Sequence, residues 1–391
     1  MILSTLLYIK PRRLSRGRPC DGRTKMKASQ WSVGIWIALG AVASGATQAD
    51  VSVGAVLPLT GASASIGEDQ RRGIELAVAQ INAKGGVLGQ KLAVRIEDSG
   101  GSANTALDAA RKLATVEHVP VVLGEFSSSV TIPVGQFLVR QGDVHINIGS
   151  SSQQVRKIGA GSFSVIGLDD LSARFAAQDV YARKLRRIAL IAPNNGYGQG
   201  IAGEFRKRFE ALGGTVVSTV LYTEGQSTYR RELEQASRAQ PDAYVYSAYG
   251  QEAATLNRQA FEMRLNQHPW YGIYLTMCTS DTPAQIAQGQ IGLEVAALGA
   301  GAKAYASAYQ AAYNEAPRSA FGSYAYDATL LSAAAIGRAQ SIDPAKIRTA
   351  LAALGKSYTG VTGAIAFDAD GQREVQPYEK VVYRQSVVAQ Q

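Results

Sequence analysis

The sequence predicts an α/β protein made of two similar lobes, each built around a parallel sheet, with short connections between them. Two observations predict this fold. From Asp50 onward, short β-rich runs alternate with longer amphipathic segments, and the alternation pauses near residue 167 before it starts again. The chain of 391 residues, 46% of them hydrophobic, is also long enough to bury the cores of two domains.

The first half supplies five segments in strict alternation. They read VSVGAVLPL, EDQRRGIELAVAQINAK, LAVRIEDS, ANTALDAARKLATV and VPVVLGE. The first, third and fifth have strand patterns, and the other two have helical periodicity. Gly85 and Gly86 end the first predicted helix, and Ser102 or Asn104 begins the second. Regular alternation of this kind is typical of parallel βαβ units.

The second half starts the same pattern again. Its segments read RRIALIAP, YGQGIAGEFRKRFEALGG, TVVSTVLY, TYRRELEQASRAQ, DAYVYSA, EAATLNRQAFEMR and WYGIY. Two α/β halves joined near residue 167 predict a bilobed protein. Because no long linker or low-complexity segment separates the halves, we expect the connections to be short enough to act as a hinge.

Residues 303–354 are rich in Ala and Tyr and are predicted to be helical, followed by short strands in AIAFDADGQ and YEKVVYR. These helices are too apolar on one face to stand alone, so we expect them to pack back onto one of the two sheets. The chain would then cross between lobes more than once. The predicted first lobe comprises residues 50–167 and 299–359, and the second comprises residues 168–298 and 360–391.

Residues 1–49 have the pattern of an extension followed by a secretory signal. A lysine-bearing start at Met26 precedes an apolar stretch over residues 31–46 and then small residues suited to cleavage before Asp50. The apolar stretch is shorter than the roughly 20 residues of a membrane span and contains glycines, which argues against an anchor. We therefore expect a soluble periplasmic protein, with translation starting at Met1 or Met26.

The net charge of +9 has its origin in the same region. Residues 1–49 carry eight basic residues against one acidic residue, so +7 lies there and only +2 is left for residues 50–391. The body of the protein has no basic stripe. The sequence therefore argues against nucleic acid as a partner.

Catalytic patterns are missing from the sequence beyond residue 49. Cys278 is the single cysteine there, so no disulfide is expected, and it is predicted to be a small buried hydrophobic residue. The histidines His118, His145 and His268 are scattered and are predicted for the surface or for strand ends. HExxH, GxSxG and metal-spaced Cys/His sets are all missing from the sequence. We expect no enzyme activity, no metal and no cofactor.

A GxGxxG pattern at Gly198, Gly200 and Gly203, with Glu224 after the next strand, keeps a dinucleotide-dependent enzyme as a remote alternative. In a dinucleotide site the first glycine follows its strand directly, so that the helix N-terminus meets the pyrophosphate. Here PNNGY intervenes, and an exported protein is separated from the cytoplasmic nicotinamide pool.

Two serine triplets follow successive predicted strands, in GEFSSSVTIP and INIGSSSQ. At the carboxyl ends of parallel strands the chain turns into a helix, whose free N–H groups and dipole attract an anion. Hydroxyl groups add hydrogen-bond donors there without adding charge. The predicted ligand contacts are Ser128, Ser129, Ser150 and Ser151, which would hold a carboxylate from two sides. Ordinary helix capping by these serines is the alternative.

Tyrosines are concentrated in the second half of the chain, several of them at strand ends. A tyrosine supplies an apolar wall with a polar tip and loses little entropy when it becomes ordered. Tyr244 and Tyr246, inside a predicted strand, are typical sheet-packing residues. Tyr197, Tyr249 and Tyr274 end strands or begin loops and are the predicted aromatic contacts.

Residues 50–391 resemble the periplasmic solute-binding proteins of branched-chain amino acid ABC transporters, the type I leucine-binding family. The resemblance is carried by VGAVLPLTG, INAKGG, the serines after VVLGEF, YGQG after IALIAP, and YAYDA at 324–328. It implies two Rossmann-like lobes, a hinge of about three crossovers and a ligand held as the lobes close. It further implies that Ser128 and Ser151 bind a carboxylate and that Tyr197 and Tyr249 contact the ligand from the second lobe.

Two positions depart from that family pattern. Members that bind aliphatic amino acids place an acid against the ligand ammonium, and the matching position here is Tyr274. A tyrosine common near the start of the family sequence is replaced by Ile66. Asp169, Asp170 or Glu252 could serve as the amine partner instead. Alternatively, the ligand is a carboxylate without an amine, such as an aromatic acid.

The sequence predicts the solute-binding component of an ABC importer, which captures an amino acid of branched-chain type, or an analogue, and delivers it to an inner-membrane permease. We expect a monomer with no catalytic role. A ligand sensor of the same fold, responsive to an amide or an aromatic acid, is the alternative. Genes for permeases and ATPases beside this one would distinguish the two functions.

Overall fold

The computed structural model describes residues 50–296, 299–385 and 387–391. The predicted signal peptide and extension, residues 1–49, lie outside the described residues. Two sheets with helices on their faces dominate the described part of the chain. The predicted bilobed α/β fold is therefore present. No helix in these ranges is both long enough and apolar enough to cross a membrane.

The first sheet has five strands, all parallel, in the order β2-β1-β3-β4-β5. Because β1 lies between β2 and β3, the strand order reverses there and opens a crevice at the carboxyl ends. The strands are β1 (Val51–Leu57), β2 (Leu92–Asp98), β3 (Val121–Gly124), β4 (Val144–Asn147) and β5 (Ser162–Ser164), and the helices between them are α1 (Ala64–Ala83), α2 (Ala103–Thr115) and α3 (Ser128–Gln141).

The second sheet has seven strands in the order β14-β13-β10-β9-β8-β6-β7. Its strands are β6 (Arg187–Pro193), β7 (Thr215–Tyr222), β8 (Ala243–Tyr246), β9 (Trp270–Ile273), β10 (Ile291–Val295), β13 (Tyr378–Arg384) and β14 (Val387–Gln390). Its helices are α4 (Asp169–Ala182), α5 (Gly196–Ala211), α6 (Arg230–Arg238), α7 (Gly250–Glu262), α8 (Leu275–Thr279) and α9 (Ala284–Ala287).

The second sheet differs from the prediction of a purely parallel sheet. Strand β13 runs antiparallel to β10, and β14 runs antiparallel to β13. The physical reason is the connection, since β13 follows a non-helical crossover and β14 follows a tight hairpin, and neither is a helical βαβ return. The parallel order over β6–β10 agrees with the prediction.

The predicted Ala- and Tyr-rich helical region forms α10 (Gly299–Tyr313), α11 (Ala320–Ala339) and α12 (Pro344–Leu354). Helix α11 packs on α1, and the buried Asp69 carboxylate of α1 accepts hydrogen bonds from Tyr309 Oη (3.0 Å), Ser319 Oγ (2.5 Å) and the Gly322 amide (3.2 Å). Helices α10 and α11 therefore pack against α1 of the first sheet, and the predicted lobe boundaries stay a prediction.

The chain passes between the two sheets three times: after β5, after β10, and between the hairpin β11 (Tyr358–Gly360)–β12 (Gly363–Ile365) and β13. Arg373, which is buried, joins the first and third passages. Its guanidinium donates to the carbonyl oxygens of Val165 (2.6 Å), Thr362 (2.8 Å) and Val375 (2.9 Å). The stretch from Thr362 to Val375, predicted for the second lobe, is thereby tied to the end of the first sheet.

Two single residues test predictions about burial. Cys278 is fully buried, as predicted for a small hydrophobic residue. His145 was predicted for the surface or a strand end, and that prediction is wrong, because His145 lies buried within β4. Its ring nitrogens contact Ser162 Oγ (2.8 Å) and the Gly124 carbonyl oxygen (2.7 Å). Burial lowers the pKa of this imidazole to about 4.

Candidate functional site

A cavity lies between the carboxyl ends of the strands of both sheets. About 310 Å³ of space inside it, including space open to solvent, is not filled by protein atoms. Both lobes contribute to its wall. The lining residues are Phe126, Ser127, Ser128, Gly149, Ser151, Ile166, Tyr197, Tyr249, Tyr274, Met277 and Phe321.

The polar part of the wall lies at the start of α3. Ser127 is the N-cap residue and Ser128 the first helical residue, and no side chain caps the helix by a hydrogen bond. The buried Ser128 hydroxyl accepts a hydrogen bond from Ser150 Oγ (2.7 Å). Ser150 is itself positioned by Asn147, whose side chain donates to the Ser150 carbonyl oxygen (2.6 Å). The loop after β4 thus fixes the Ser128 hydroxyl beside a free helix N-terminus, which is an arrangement suited to an anion.

The six serines of the two triplets do not share one environment. Ser128 and Ser151 line the cavity, and so does Ser127, which the sequence analysis did not include. Ser129 and Ser150, predicted as ligand contacts, do not line it. Ser129 is exposed and contacts Ser127 Oγ (2.9 Å), because the helix turns it away from this cavity and towards a neighbouring one. Ser150 lies behind Ser128 and positions it.

The three predicted aromatic contacts all line the cavity, and each begins a helix of the second lobe. Their hydroxyl groups bind protein partners: Tyr197 contacts Ser247 Oγ (2.6 Å), and Tyr274 contacts Tyr378 Oη (3.2 Å). Tyr249 Oη donates to Glu224. Tyr274 also has a left-handed backbone (φ 62°), which is uncommon for a bulky residue.

Apolar side chains complete the wall. Phe126 makes edge-to-face contacts with Tyr249 (5.3 Å between ring centroids) and with Phe321 (5.0 Å), so it connects a second-lobe loop with α11. Ile166 and Met277 cover the remaining sides. Phe126 stands next to the serine triplet and could have been found from the sequence. Phe321 could not, because it reaches the cleft only through the packing of α11 on α1.

The candidate amine partners do not line this cavity. Asp169 is fully buried at the start of α4, and its amide donates to the Ser151 carbonyl oxygen (2.7 Å). Burial raises the pKa of the Asp169 carboxyl well above its ordinary value, and the nearby Ser151 hydroxyl opposes this only in part. Asp170 accepts a hydrogen bond from Gln153 Nε2 (2.6 Å). Glu252 lies in the first turn of α7 and lines a neighbouring cavity instead.

The GxGxxG pattern has a structural explanation. Gly198, Gly200 and Gly203 all lie inside α5 and not in a phosphate-binding turn. A Cβ at Gly198 would overlap the Pro193 carbonyl oxygen, and one at Gly200 would lie 2.7 Å from Asp169 Oδ2. The first two glycines therefore allow α5 to pack closely on β6 and α4. This geometry argues against the dinucleotide-dependent enzyme.

Comparison with known proteins agrees with the fold. The family model described as Periplasmic binding protein matches residues 50–384. The chain belongs to this family. Family membership places it with extracytoplasmic binding proteins, and the family and fold are those of substrate-binding proteins.

Several named relatives are similar over part of their length. The chain is 29% identical to the Leu/Ile/Val-binding protein BraC3 of Rhizobium johnstonii over 56% of this chain and 60% of the relative. It is 30% identical to the Leu/Ile/Val-binding protein homolog 1 of Brucella abortus over 59% of this chain and 62% of the relative. The chain thus spans about three fifths of the length of these curated relatives.

Solved structures match over most of the chain. The branched-chain amino acid transporter substrate-binding protein LivJ of Streptococcus pneumoniae, in complex with isoleucine, has a TM-score of 0.79 at 25% identity and covers 87% of this chain and 98% of its own. A solute-binding protein of an ABC transporter from R. palustris, in complex with benzoate, has a TM-score of 0.78 at 19% identity, covering 88% and 95%. The second match shows the shared fold alone.

Proposed function

We propose that this protein is the periplasmic solute-binding component of an ABC importer and captures a small carboxylate-bearing solute between its two lobes. The observation that carries the proposal is the pairing of Ser128 and Ser151 hydroxyls with the uncapped N-terminus of α3, facing an aromatic cavity. A helix N-terminus and neutral donors favour an anion, and the enclosed wall strengthens each charge-assisted hydrogen bond.

The rest of the wall fits the body of such a solute. Tyr197, Tyr249 and Tyr274 have hydroxyls that bind protein partners, so they present ring surface to the cavity. With Phe126 and Phe321 they would enclose an apolar group of aliphatic or aromatic character. The relatives named for binding Leu, Ile and Val favour an amino acid of branched-chain type or an analogue. Delivery to an inner-membrane ABC permease follows from the same relationship.

Closure of the lobes would be part of the function. Ligand contacts come from both lobes, so a bound solute stabilises the state in which both sets of contacts exist. Arg373 holds two of the three crossings together through backbone carbonyls and would keep the lobes aligned as they move.

A pair of neighbouring serines tests the carboxylate site. Thermal-shift screening of amino acids and aromatic acids finds a ligand, since saturation at 100 times its Kd stabilises the protein by about 2.7 kcal/mol. Ser128→Ala should then weaken binding by roughly tenfold to a hundredfold, because it removes a charge-assisted hydrogen bond. Calorimetry measures the change.

Ser129→Ala is the matched control, since Ser129 is the next residue of the same helix turn but faces away from the cavity. It should leave the affinity for the carboxylate ligand close to that of the wild type. Equal affinities for the wild type, Ser128→Ala and Ser151→Ala would contradict the carboxylate site. A loss of about 1 kcal/mol of ligand-free stability at unchanged affinity would instead show that Ser128 caps the helix.

A further inference from the structure

The cavity that Ser128 and Ser151 line is called the ligand cavity below, and its wall carries no charged side chain. Asp, Glu, Lys, Arg and His are all missing from its lining within the described ranges of the chain, where serine, tyrosine and apolar residues form the wall. A charged group of a solute therefore depends on hydrogen bonds and on helix ends for its stabilisation. The sign of charge that these favour decides the class of solute.

The helix ends at the wall favour a negative charge. Ser128 is the first residue of α3, from the first lobe, and Tyr197 is the second residue of α5, from the second. Neither helix has an acidic residue in its first turn, and the neutral side chain of Asn195 caps α5. Each N-terminus carries roughly half a positive charge, which attracts a carboxylate and repels an ammonium. Both lobes thus contribute a positive potential to the ligand cavity.

The hydrogen-bonding groups of the wall have the same bias. Ser128 Oγ accepts from Ser150 Oγ (2.7 Å), which leaves the Ser128 proton free to be donated to a solute. The Tyr249 hydroxyl donates to Glu224 and accepts from Asn195 Nδ2 (2.7 Å), so both of its functions are already used by the protein. An ammonium is a donor only and needs several acceptors around it. The wall is therefore better suited to a carboxylate than to an ammonium.

The nearest buried carboxyl group, that of Asp169, does not supply the missing negative charge. It does not line the ligand cavity, and an added Cβ at Gly200 would lie 2.7 Å from its Oδ2, so the carboxyl packs against α5. Its two oxygens have no hydrogen-bond partner among the described residues. Burial raises the pKa of this carboxyl well above its ordinary value, and the negative charges of Asp170 and Glu204 raise it further. These effects favour the neutral acid, which is a poor counter-charge for an ammonium.

The other acidic groups of this region belong to the neighbouring cavity. Glu224 and Glu252 line that cavity and not the ligand cavity. The rings of Phe126 and Tyr249, which are in edge-to-face contact, lie in the wall that the two cavities share. A charge at either glutamate is therefore separated from a solute at the serines.

We propose that the ligand cavity selects carboxylates that have no amine, namely monocarboxylates with an aliphatic or aromatic body, over the corresponding α-amino acids. This inference rests on the proposed function and narrows its solute to the amine-free analogues. In an α-amino acid the ammonium and the carboxylate are attached to the same carbon, so the ammonium would enter the same positive, donor-lined end of the cavity. Burying it there without an acceptor or a counter-charge is costly.

Matched pairs of ligands test the inference. Affinities are measured by calorimetry at pH 8 for 4-methylpentanoate against leucine, 3-methylbutanoate against valine and 3-phenylpropanoate against phenylalanine. In each pair the amine-free acid should bind more tightly, by about tenfold or more. A further ligand, 2-hydroxy-4-methylpentanoate, carries an uncharged group of similar size in place of the leucine amine. It should bind more like 4-methylpentanoate than like leucine, because it brings no positive charge.

A variant that adds a negative charge to the wall should shift this preference. Tyr274 lines the ligand cavity just after β9, and Tyr274→Glu should improve the affinity for leucine relative to 4-methylpentanoate by about tenfold or more. Gln267→Glu is the matched control, since it adds the same charge at an exposed position before β9, at the other end of the strand. It should retain the preference of the wild type. Thermal unfolding checks that Tyr274→Glu folds, and the wild-type ligand pairs decide the question if it does not.

Three results would contradict these expectations. Leucine that binds as tightly as 4-methylpentanoate, or more tightly, would overturn this inference and leave the proposed function standing. If Asp169→Asn then removed the advantage of leucine, Asp169 would be the amine partner. Equal weakening by the hydroxyl group and by the amine would show that size and not charge sets the preference, which would also overturn the inference. Failure of every carboxylate to bind would contradict the proposed function itself.

Discussion

Glu125 directly follows β3 and is fully buried beside the two cavities. Burial raises the pKa of this carboxyl from 4.5 to about 7, and the hydrogen bonds from Ser99 and Ser127 oppose the shift. The negative charge of the nearby Asp98 raises the pKa of Glu125 further. In the unfolded chain the group ionises near pH 4.5, so between pH 4.5 and 7 the folded state holds a proton that the unfolded state has lost.

Stability should therefore fall as the pH rises through this window. The contribution of Glu125 is fully present below about pH 4.5 and is lost by about pH 7, with an upper bound on the order of 3 kcal/mol. Glu125→Gln keeps the acceptor for Ser99 but cannot ionise, so its unfolding free energy should decline less between pH 5 and 8. Urea titrations at several pH values measure this.

The comparison must be made between the variant and the wild type, because other buried groups titrate too. The pKa of Glu252 is also raised to about 7, which adds a decline in the same window. His145, with its pKa lowered to about 4, acts in the opposite direction and loses stability as the pH falls below 6.5. Parallel pH profiles for the wild type and Glu125→Gln would show that Glu125 is not the group responsible.

Single residues also show how far the sequence could predict the site. Ser128, Ser151 and the three tyrosines could be placed because strand ends of parallel sheets meet at one edge. The sequence could not show that Ser127 lines the cavity while Ser129 does not, since this depends on where α3 begins. Glu252 was expected near an amine, but its position in a separate cavity depends on the relative placement of the two lobes.

At the scale of elements, α1 and α11 form the contact that fixes the late helices on the first lobe. The two helices approach so closely at Gly73 that a Cβ there would overlap the Gly322 carbonyl oxygen. The buried Asp69 network crosses the same contact. Burial raises the pKa of the Asp69 carboxyl, and its three donors oppose that shift.

Gly73→Ala should therefore destabilise the protein by about 1–3 kcal/mol, because the backbone of α11 must move away from the added methyl group. Gly203→Ala is the control: Gly203 lies inside α5 with nothing within 4 Å of an added Cβ. That substitution should leave stability unchanged or raise it by about 0.5–1 kcal/mol. Urea unfolding compares the two, and equal effects would contradict the proposed close packing of α1 and α11.

The order of elements was largely predictable, because the period of the hydrophobic pattern distinguishes strands from helices. The antiparallel direction of β13 and β14 was not predictable. The hydrophobic pattern of a strand such as β13, with seven residues, is the same whichever way the strand runs in the sheet. Strand β12 overlaps the predicted strand AIAFDADGQ, but its hairpin partner β11 was missed, since each of the two strands has only three residues. The buried Asp327 holds the turn between them by accepting hydrogen bonds from the Val361 and Thr362 amides.

At the scale of the whole molecule, the two lobes meet closely at the start of α7. Gly250, the first residue of α7, has a φ of 56°, and a Cβ there would overlap the Ala62 carbonyl oxygen of the first lobe. Ser65 Oγ and Asp281 Oδ2, 3.3 Å apart, form a second contact across the cleft. These contacts describe a closed arrangement, in which a solute would be surrounded by both lobes.

Closure should be measurable as compaction. With a ligand found by screening, small-angle scattering should show a smaller radius of gyration for the wild type, because contacts from both lobes favour the closed state. Gly250→Ala should reduce that compaction and weaken binding, since its methyl group meets Ala62 only when the lobes close. Gly289→Ala is the control. Gly289 also has a positive φ (85°), but nothing lies within 4 Å of an added Cβ, so this substitution brings the same local strain without the clash. Gly289→Ala should therefore compact like the wild type, and a wild-type radius that stays constant at saturating ligand would rule out closure by the hinge.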